Sequence, residues 1–166
     1  MKRLVADTGP LLHLHEANAL HLLPLIGTTE IAPHVLTELR FHAPKLWPEQ
    51  LPPWASAKTL SSAAQQRASE WQNAGLLHGG EAQALALAIE QKPDWFLTDD
   101  AGARLMAESL GIETRGSIGI ILWVAAMRLI ERSEAETLFA ALEKSSLWMS
   151  SRVRVQARAA LTKLFT

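Results

Sequence analysis

Apolar and polar positions change their spacing repeatedly along the chain, and each change marks an element. Arg3-Leu4-Val5-Ala6 reads as a short buried strand that ends at Asp7, with Gly9-Pro10 as the break. Helical spacing follows through Leu11–Leu14 and Ala17–Leu23. A second strand, about Glu30-Ile31-Ala32, leads into Pro33, which suits the first turn of a helix running to about Phe41. Between Ala43 and Trp54 the chain carries Pro44, Pro48, Pro52 and Pro53 with Trp47 and Trp54, an irregular excursion.

The second half is more regular. Ala63 to Ala74 has helical spacing and stops at Gly75. Gly79-Gly80 precede Glu81-Ala82-Gln83-Ala84-Leu85-Ala86-Leu87-Ala88-Ile89, a run of strong helix formers. Trp95-Phe96-Leu97-Thr98 reads as a buried strand ending at Asp99-Asp100, and a helix from Ala101 to Leu110 closes at Gly111. Ile112 to Arg115 is a further strand, with a helix from about Ser117 to Glu131 after Gly116. Ser133 with Glu136 has the form of a capping box for a helix reaching Glu143. In the tail, Val153, Ala157, Ala160, Leu161 and Leu164 share one helical face, with Arg154 and Arg158 on another. Strands separated by helices imply a mostly parallel sheet covered on both faces, an α/β/α sandwich.

Composition narrows the class. With 166 residues, 48% hydrophobic and 20% charged, the chain suits one folded domain of residues 1–166. A core of about residues 1–131 would carry a C-terminal helical extension over 132–166. The longest apolar run, Ile118 to Met127, is too short to span a bilayer. No basic-then-apolar leader opens the chain, so a cytoplasmic location without membrane attachment is the expectation. The absence of cysteine excludes disulfides, thiolate metal sites and cysteine nucleophiles. A net charge of −1 argues against coating nucleic acid through bulk positive charge, although Arg152, Arg154, Arg158 and Lys163 make the end of the chain locally basic.

Ligands of open parallel sheets bind beyond the carboxyl ends of the strands. Asp7 and the Asp99-Asp100 pair follow strands, Glu81 opens a helix, and Glu38 lies in the helix after the second strand. Each acid also has a plain structural reading. Asp7 and one of Asp99 or Asp100 could cap the helices that follow, Glu81 suits a helix first turn, and Glu38 suits a solvated face. Convergence of all of them at one edge would raise their pKa values unless a cation neutralised them. Ligation by oxygen alone favours Mg²⁺ or Mn²⁺, which can activate water against a phosphodiester. Strand alternation would send Asp99 and Asp100 to opposite sides, so at most one is expected to enter the site.

The same segments resemble the acidic motifs of PIN-domain proteins. Leu4-Val5-Ala6-Asp7-Thr8-Gly9-Pro10-Leu11, Pro33-His34-Val35-Leu36-Thr37-Glu38-Leu39 and Gly80-Glu81-Ala82-Gln83-Ala84-Leu85-Ala86-Leu87-Ala88 are similar to the first three. Leu97-Thr98-Asp99-Asp100, followed by Arg104, Ala107 and Gly111, is similar to the fourth. Arg115-Gly116-Ser117-Ile118-Gly119-Ile120-Ile121 resembles a turn of one uncharacterised prokaryotic PIN subgroup. The resemblance runs from about Leu4 to Ile130. It implies a three-layer α/β/α fold and Mg²⁺- or Mn²⁺-dependent cleavage of RNA. It also implies a VapC-like toxin held by a small antitoxin, and a dimer. Asp7, Glu38, Glu81 and Asp99 or Asp100 would be the catalytic, metal-binding acids. Thr8, Thr98 and Ser117 would be polar neighbours on the substrate side. The chain departs from compact toxins in its longer insert from His42 to Ser62 and in the helices after Glu131.

Arg104 and Arg115 could contact phosphate or form surface ion pairs. His13 and His15 do not share a helical face and read as surface or packing residues. Trp47 and Trp54 read as packing within the excursion, with base stacking as the alternative. The tail arginines suit RNA, an acidic partner or a solvated face. Asp7-Thr8-Gly9 is the single triplet of its kind in a helix-rich chain, which excludes an aspartic protease. Gly9 stands where a haloacid-dehalogenase-type phosphatase needs a second acid, and a receiver domain would carry its acid pair after the first strand. No Gly-rich loop with Lys-Ser/Thr supports a nucleoside triphosphatase. The rival reading from another class is a PIN-like module that binds RNA or protein without cutting.

Overall fold

The structure is a computed structural model that describes residues 1–44, 47 and 50–166. At its centre lies a sheet in the order β3-β2-β1-β4-β5, with every neighbouring pair parallel. The strands are β1 (Lys2–Ala6), β2 (Gly27–Ile31), β3 (Ala55–Ala57), β4 (Trp95–Leu97) and β5 (Thr114–Arg115). Leu4, Val5 and Ala6 of β1 and Trp95, Phe96 and Leu97 of β4 are all buried. Consecutive rather than alternating burial means that both faces of these strands are covered.

Helix α1 (Thr8–Glu16), a 3₁₀ turn (Leu20–Leu22) and the short α2 (Leu23–Ile26) join β1 to β2. Helix α3 (Pro33–His42) follows β2, and α4 (Ser62–Asn73) and α5 (Gly79–Gln91) join β3 to β4. Helix α6 (Ala101–Ser109) joins β4 to β5, and α7 (Ser117–Ala126), α8 (Arg132–Glu143) and α9 (Ser151–Leu164) come after β5. Helices α4, α3 and α6 pack on α5, while α1, α8 and α9 pack on α7. The result is the three-layer α/β/α sandwich expected from the pattern. Helix α5 is buried almost all round, from Gly80 and Ala82 through Ala84–Ala88, which accounts for its lack of a polar face.

Several local expectations are corrected. Gly9 and Pro10 do not break the chain but lie in the first turns of α1, and Gly79 and Gly80 open α5. The expected helix over Ala17–Leu23 is interrupted, because Asn18 turns into the left-handed region at φ 55°. Strand β3 was not expected; it is a three-residue edge of small side chains, held through Thr29 N–H donating to the Trp54 carbonyl at 2.8 Å. Helix α7 ends at Ala126 rather than near Glu131, since Arg128 takes φ 57°. The capping box at Ser133 is absent: Glu131 is the N-cap of α8, and Glu136 accepts from Arg132 Nε at 2.7 Å. On α9, Ala157 and Leu161 are buried, but Val153 and Ala160 face solvent. Trp47 and Trp54 form an edge-to-face pair with centroids 6.1 Å apart, and Trp47 is buried, so this pair packs. Pro48, in the same excursion, lies outside the described residues.

Candidate active site

Strand ends and helix starts coincide along the carboxyl edge of the sheet, and this coincidence assembles the acids. A helix start leaves N–H groups without partners inside the helix, and a carboxylate satisfies them well. Asp7 N–H donates to the Leu97 carbonyl at 2.9 Å, which fixes the ends of β1 and β4 side by side. They meet in the middle of the sheet, where the strand order reverses, the usual crevice of open α/β sheets.

Asp7 is the N-cap of α1. Its Oδ1 accepts from Thr8 N–H at 2.7 Å, and its Oδ2 accepts from Thr98 Oγ1 at 3.1 Å. Only 3% of Asp7 is exposed. Burial pushes its carboxyl up to about 7, and the charges of Glu81 and Glu38 add to that, while the Thr8 and Thr98 bonds pull the other way.

Glu38 reaches the same place from α3. Its Oε2 accepts from Thr8 Oγ1, its Oε1 accepts from Gly80 N–H at 3.1 Å, and His34 Nε2 lies 3.4 Å from Oε1. A side chain on Gly80 would collide with this carboxylate, so the glycine is what lets the start of α5 close onto α3. Glu81, one residue on, accepts from His78 N–H at 3.0 Å. Its carboxyl is raised, by burial first and then by the charges of Asp100 and Glu38.

Asp99 and Asp100 both line this cleft, against the expectation that alternation would separate them. Strand β4 ends at Leu97, so the two residues lie in the turn into α6 and no longer follow the pleat. Asp100 caps α6 through Ala103 N–H at 2.7 Å. Asp99 is not the cap of its own helix: it accepts from the first N–H of α7, Ser117 N–H, at 2.7 Å, from Ser117 Oγ at 2.6 Å and from His13 Nδ1 at 2.7 Å. Gly116 makes this possible, because a Cβ there would sit 2.7 Å from Asp99 Oδ1 and 2.8 Å from Arg104 Nη2.

The residues expected as polar neighbours occupy two kinds of position. Thr98 and Ser117 are fully buried, and their hydroxyls are spent on Asp7 and Asp99. Thr8 lines the cleft beside Glu38. Arg104 donates to the Thr98 carbonyl at 3.2 Å, and Arg115 pairs with Glu113 and lies over the Trp95 ring at 4.9 Å. Both arginines line the adjoining groove rather than the cleft itself. His78, Leu147 and Trp148 are cleft residues to which the sequence did not point, and His13, expected as a surface or packing residue, lines the cleft as well. His13 had a signal that was missed. With α1 starting at Thr8, His13 stands four residues after Gly9, whose side faces Asp99.

The cleft encloses about 340 Å³. A larger hollow of about 810 Å³, around Trp71, Pro93 and Ile112, contains no such gathering of acids. The donor set of the cleft fits a hard cation, since the acids offer oxygen and sit close enough to raise one another. Among the described residues no three acidic or imidazole side chains form a ready-made metal cage. A cation there would draw carboxylates inward or complete its shell with water, as Mg²⁺ commonly does.

The family model that matches the chain is described as a PIN domain and covers residues 3–163. That span includes both C-terminal helices. No curated protein matches the chain. Among the described residues no helix is long and apolar enough to cross a membrane.

Proposed function

The chain belongs to the PIN-domain family, whose fold is of a nuclease type, and on that premise we propose a metal-dependent endoribonuclease that hydrolyses RNA phosphodiester bonds. The observation that carries this reading is the facing of Asp7, Glu38, Glu81, Asp99 and Asp100 into one cleft at the sheet edge. Mg²⁺ or Mn²⁺ would be held by oxygens of these acids, with Asp7 deepest. When bound, such an ion supplies a water nucleophile and charge neutralisation at the scissile phosphate. Thr8 and Thr98 hold the Asp7 carboxylate in place, and Ser117 and His13 hold that of Asp99. Glu38 and Glu81 line the α3–α5 side of the cleft.

The test is cleavage of varied RNA substrates by clean protein with Mg²⁺ and with Mn²⁺, comparing wild type with Asp7→Asn. Wild type is expected to cut, and Asp7→Asn to lose about 1,000-fold in rate with its circular dichroism unchanged. That factor corresponds to several kcal/mol of charge stabilisation at the transition state. A wild type that cuts no substrate with either metal contradicts the catalytic reading.

A second reading, a PIN-like module that binds RNA or protein without cutting, draws on a specific feature. Each of the acids already accepts a hydrogen bond from the protein, and no cage is preformed among the described residues. Binding without cleavage in the same assay would favour it. The finer proposal is a cytoplasmic, dimeric VapC-like toxin, held by a small antitoxin, with residues 132–166 extending a core of about 1–131. A short reading frame overlapping the start of the gene would support the toxin role, and an isolated gene would weaken it.

A further inference from the structure

We propose that Trp148 is a stacking platform for one base of a single-stranded polynucleotide, with Arg104 and Arg115 beside it taking a neighbouring phosphate. The proposal deepens the nuclease reading and rests on it for the direction of the strand into the cleft.

Trp148 is 83% exposed, and it lies in the link between α8 and α9. Single exposed apolar residues are ordinary on protein surfaces. This one stands out by its place and by how its backbone is held. It lines both the acidic cleft and an adjoining groove of about 440 Å³ that contains Arg104, Arg115 and Gly116. Asp99 is likewise shared between the two hollows. The link is tied down next to the ring. Ser146 N–H and Oγ donate to the Glu16 carboxylate at 3.1 and 2.5 Å, and Met149 is buried. The indole is thus presented by a fastened backbone, which lowers the ordering cost of using it.

The chemistry on either side of the ring is opposite. The cleft holds acids, which repel phosphate until a cation is present. The groove holds guanidiniums. Arg104 uses Nη2 on the Thr98 carbonyl and, among the described residues, pairs with no carboxylate, so most of its five donors remain for a ligand. Arg115 is partly neutralised by Glu113 and held over Trp95, which leaves it the weaker contact. A polynucleotide alternates flat apolar bases with anionic phosphates, and this rim offers an aromatic face next to a cation. Duplex bases are already stacked and cannot use the ring, so the surface selects single strands.

The test is fluorescence anisotropy of a labelled, unstructured oligoribonucleotide in chelator, where no metal-dependent cutting occurs. Trp148→Ala is expected to weaken binding about 10-fold and Trp148→Phe to keep most of the affinity, since stacking is aromatic and sequence-tolerant. Arg104→Ala should weaken binding and lower the salt slope by about 1. Single-stranded DNA of the same sequence should respond to Trp148→Ala in the same way, and the duplex should bind more weakly than either strand. Wild-type-like affinity in Trp148→Ala, or a duplex bound as tightly as the strand, overturns the proposal. So does light scattering that shows Trp148→Ala turning a dimer into a monomer without loss of strand binding, because the ring would then serve a second copy. Cleavage is read separately with Mn²⁺. A protein that binds as described but never cuts contradicts the nuclease reading and upholds the platform. One that cuts with strand binding indifferent to Trp148 contradicts the platform alone.

Discussion

Glu143, at the end of α8, and the acids of the cleft are carboxylates of low exposure, yet they have different partners. Glu143 takes the guanidiniums of both Arg154, at 3.2 Å, and Arg158. Two of the four basic residues of the tail are therefore spent on tying α9 to α8. Among the described residues no lysine or arginine pairs with Asp7, Glu38, Glu81, Asp99 or Asp100. Their partners are N–H and O–H groups, together with the imidazoles of His13 and His34. Backbone N–H and hydroxyl donors orient a carboxylate without cancelling its charge. The fold thus pairs an acid with guanidiniums where it needs a joint and, among the described residues, gathers acids without lysine or arginine partners in the cleft, the arrangement that a cation site would use.

The sharpest way to break this comparison is through pH. Asp7, raised from 3.8 to about 7, binds its proton more tightly in the folded chain than in the unfolded one. Its charge therefore costs nothing below the lower value, costs progressively more stability as pH rises between the two, and carries its full penalty above about 7. At about 1.4 kcal/mol per unit the penalty is at most about 4 kcal/mol. Urea midpoints should show Asp7→Asn gaining on wild type from about pH 4 to about pH 8 in metal-free buffer. Parallel curves would mean that the buried charge is not strained.

A smaller effect is expected at Thr98. Thr98→Val keeps the shape and removes the hydroxyl that donates to Asp7 Oδ2 and accepts from Asp100 N–H at 3.1 Å. The loss should be about 2 kcal/mol near neutral pH, the cost of leaving buried polar groups unsatisfied. Equal stability by thermal melting would remove neutral donors from the explanation. The smallest effect belongs to Glu143→Gln. It should cost about 1 kcal/mol or less, because both guanidiniums are half exposed, and the difference should shrink in high salt. A loss that salt does not touch would show packing rather than charge at that joint.

The layering was legible in the sequence because it depends on unbroken apolar runs, such as Leu4-Val5-Ala6 and the Ala-Leu face of α5, that nothing else explains. The acids were legible as helix caps and as candidate site residues, and the geometry lets one residue hold both positions. Helices begin where parallel strands end, so Asp7 and Asp100 each cap a helix and line the cleft. What stayed hidden depends on distance in three dimensions. Strand β3 has no apolar period of its own and exists only through pairing with β2. The placement of Asp99 with Asp100 in one cleft depends on β4 ending at Leu97, one residue before the end of the expected strand at Thr98. His13 was legible as a helix residue, but its bond to Asp99, 86 residues away, exists only in the fold, and Trp148 sits in a link whose position is set by the packing of α8 and α9.

The most direct measurement is a calorimetric titration of Mn²⁺ into wild type and Asp7→Asn at a pH above 7. The expected result is saturable binding by wild type and at least tenfold weaker binding by Asp7→Asn. Binding that ignores the substitution, or no binding by wild type at millimolar Mn²⁺, would contradict a cation site built on these acids.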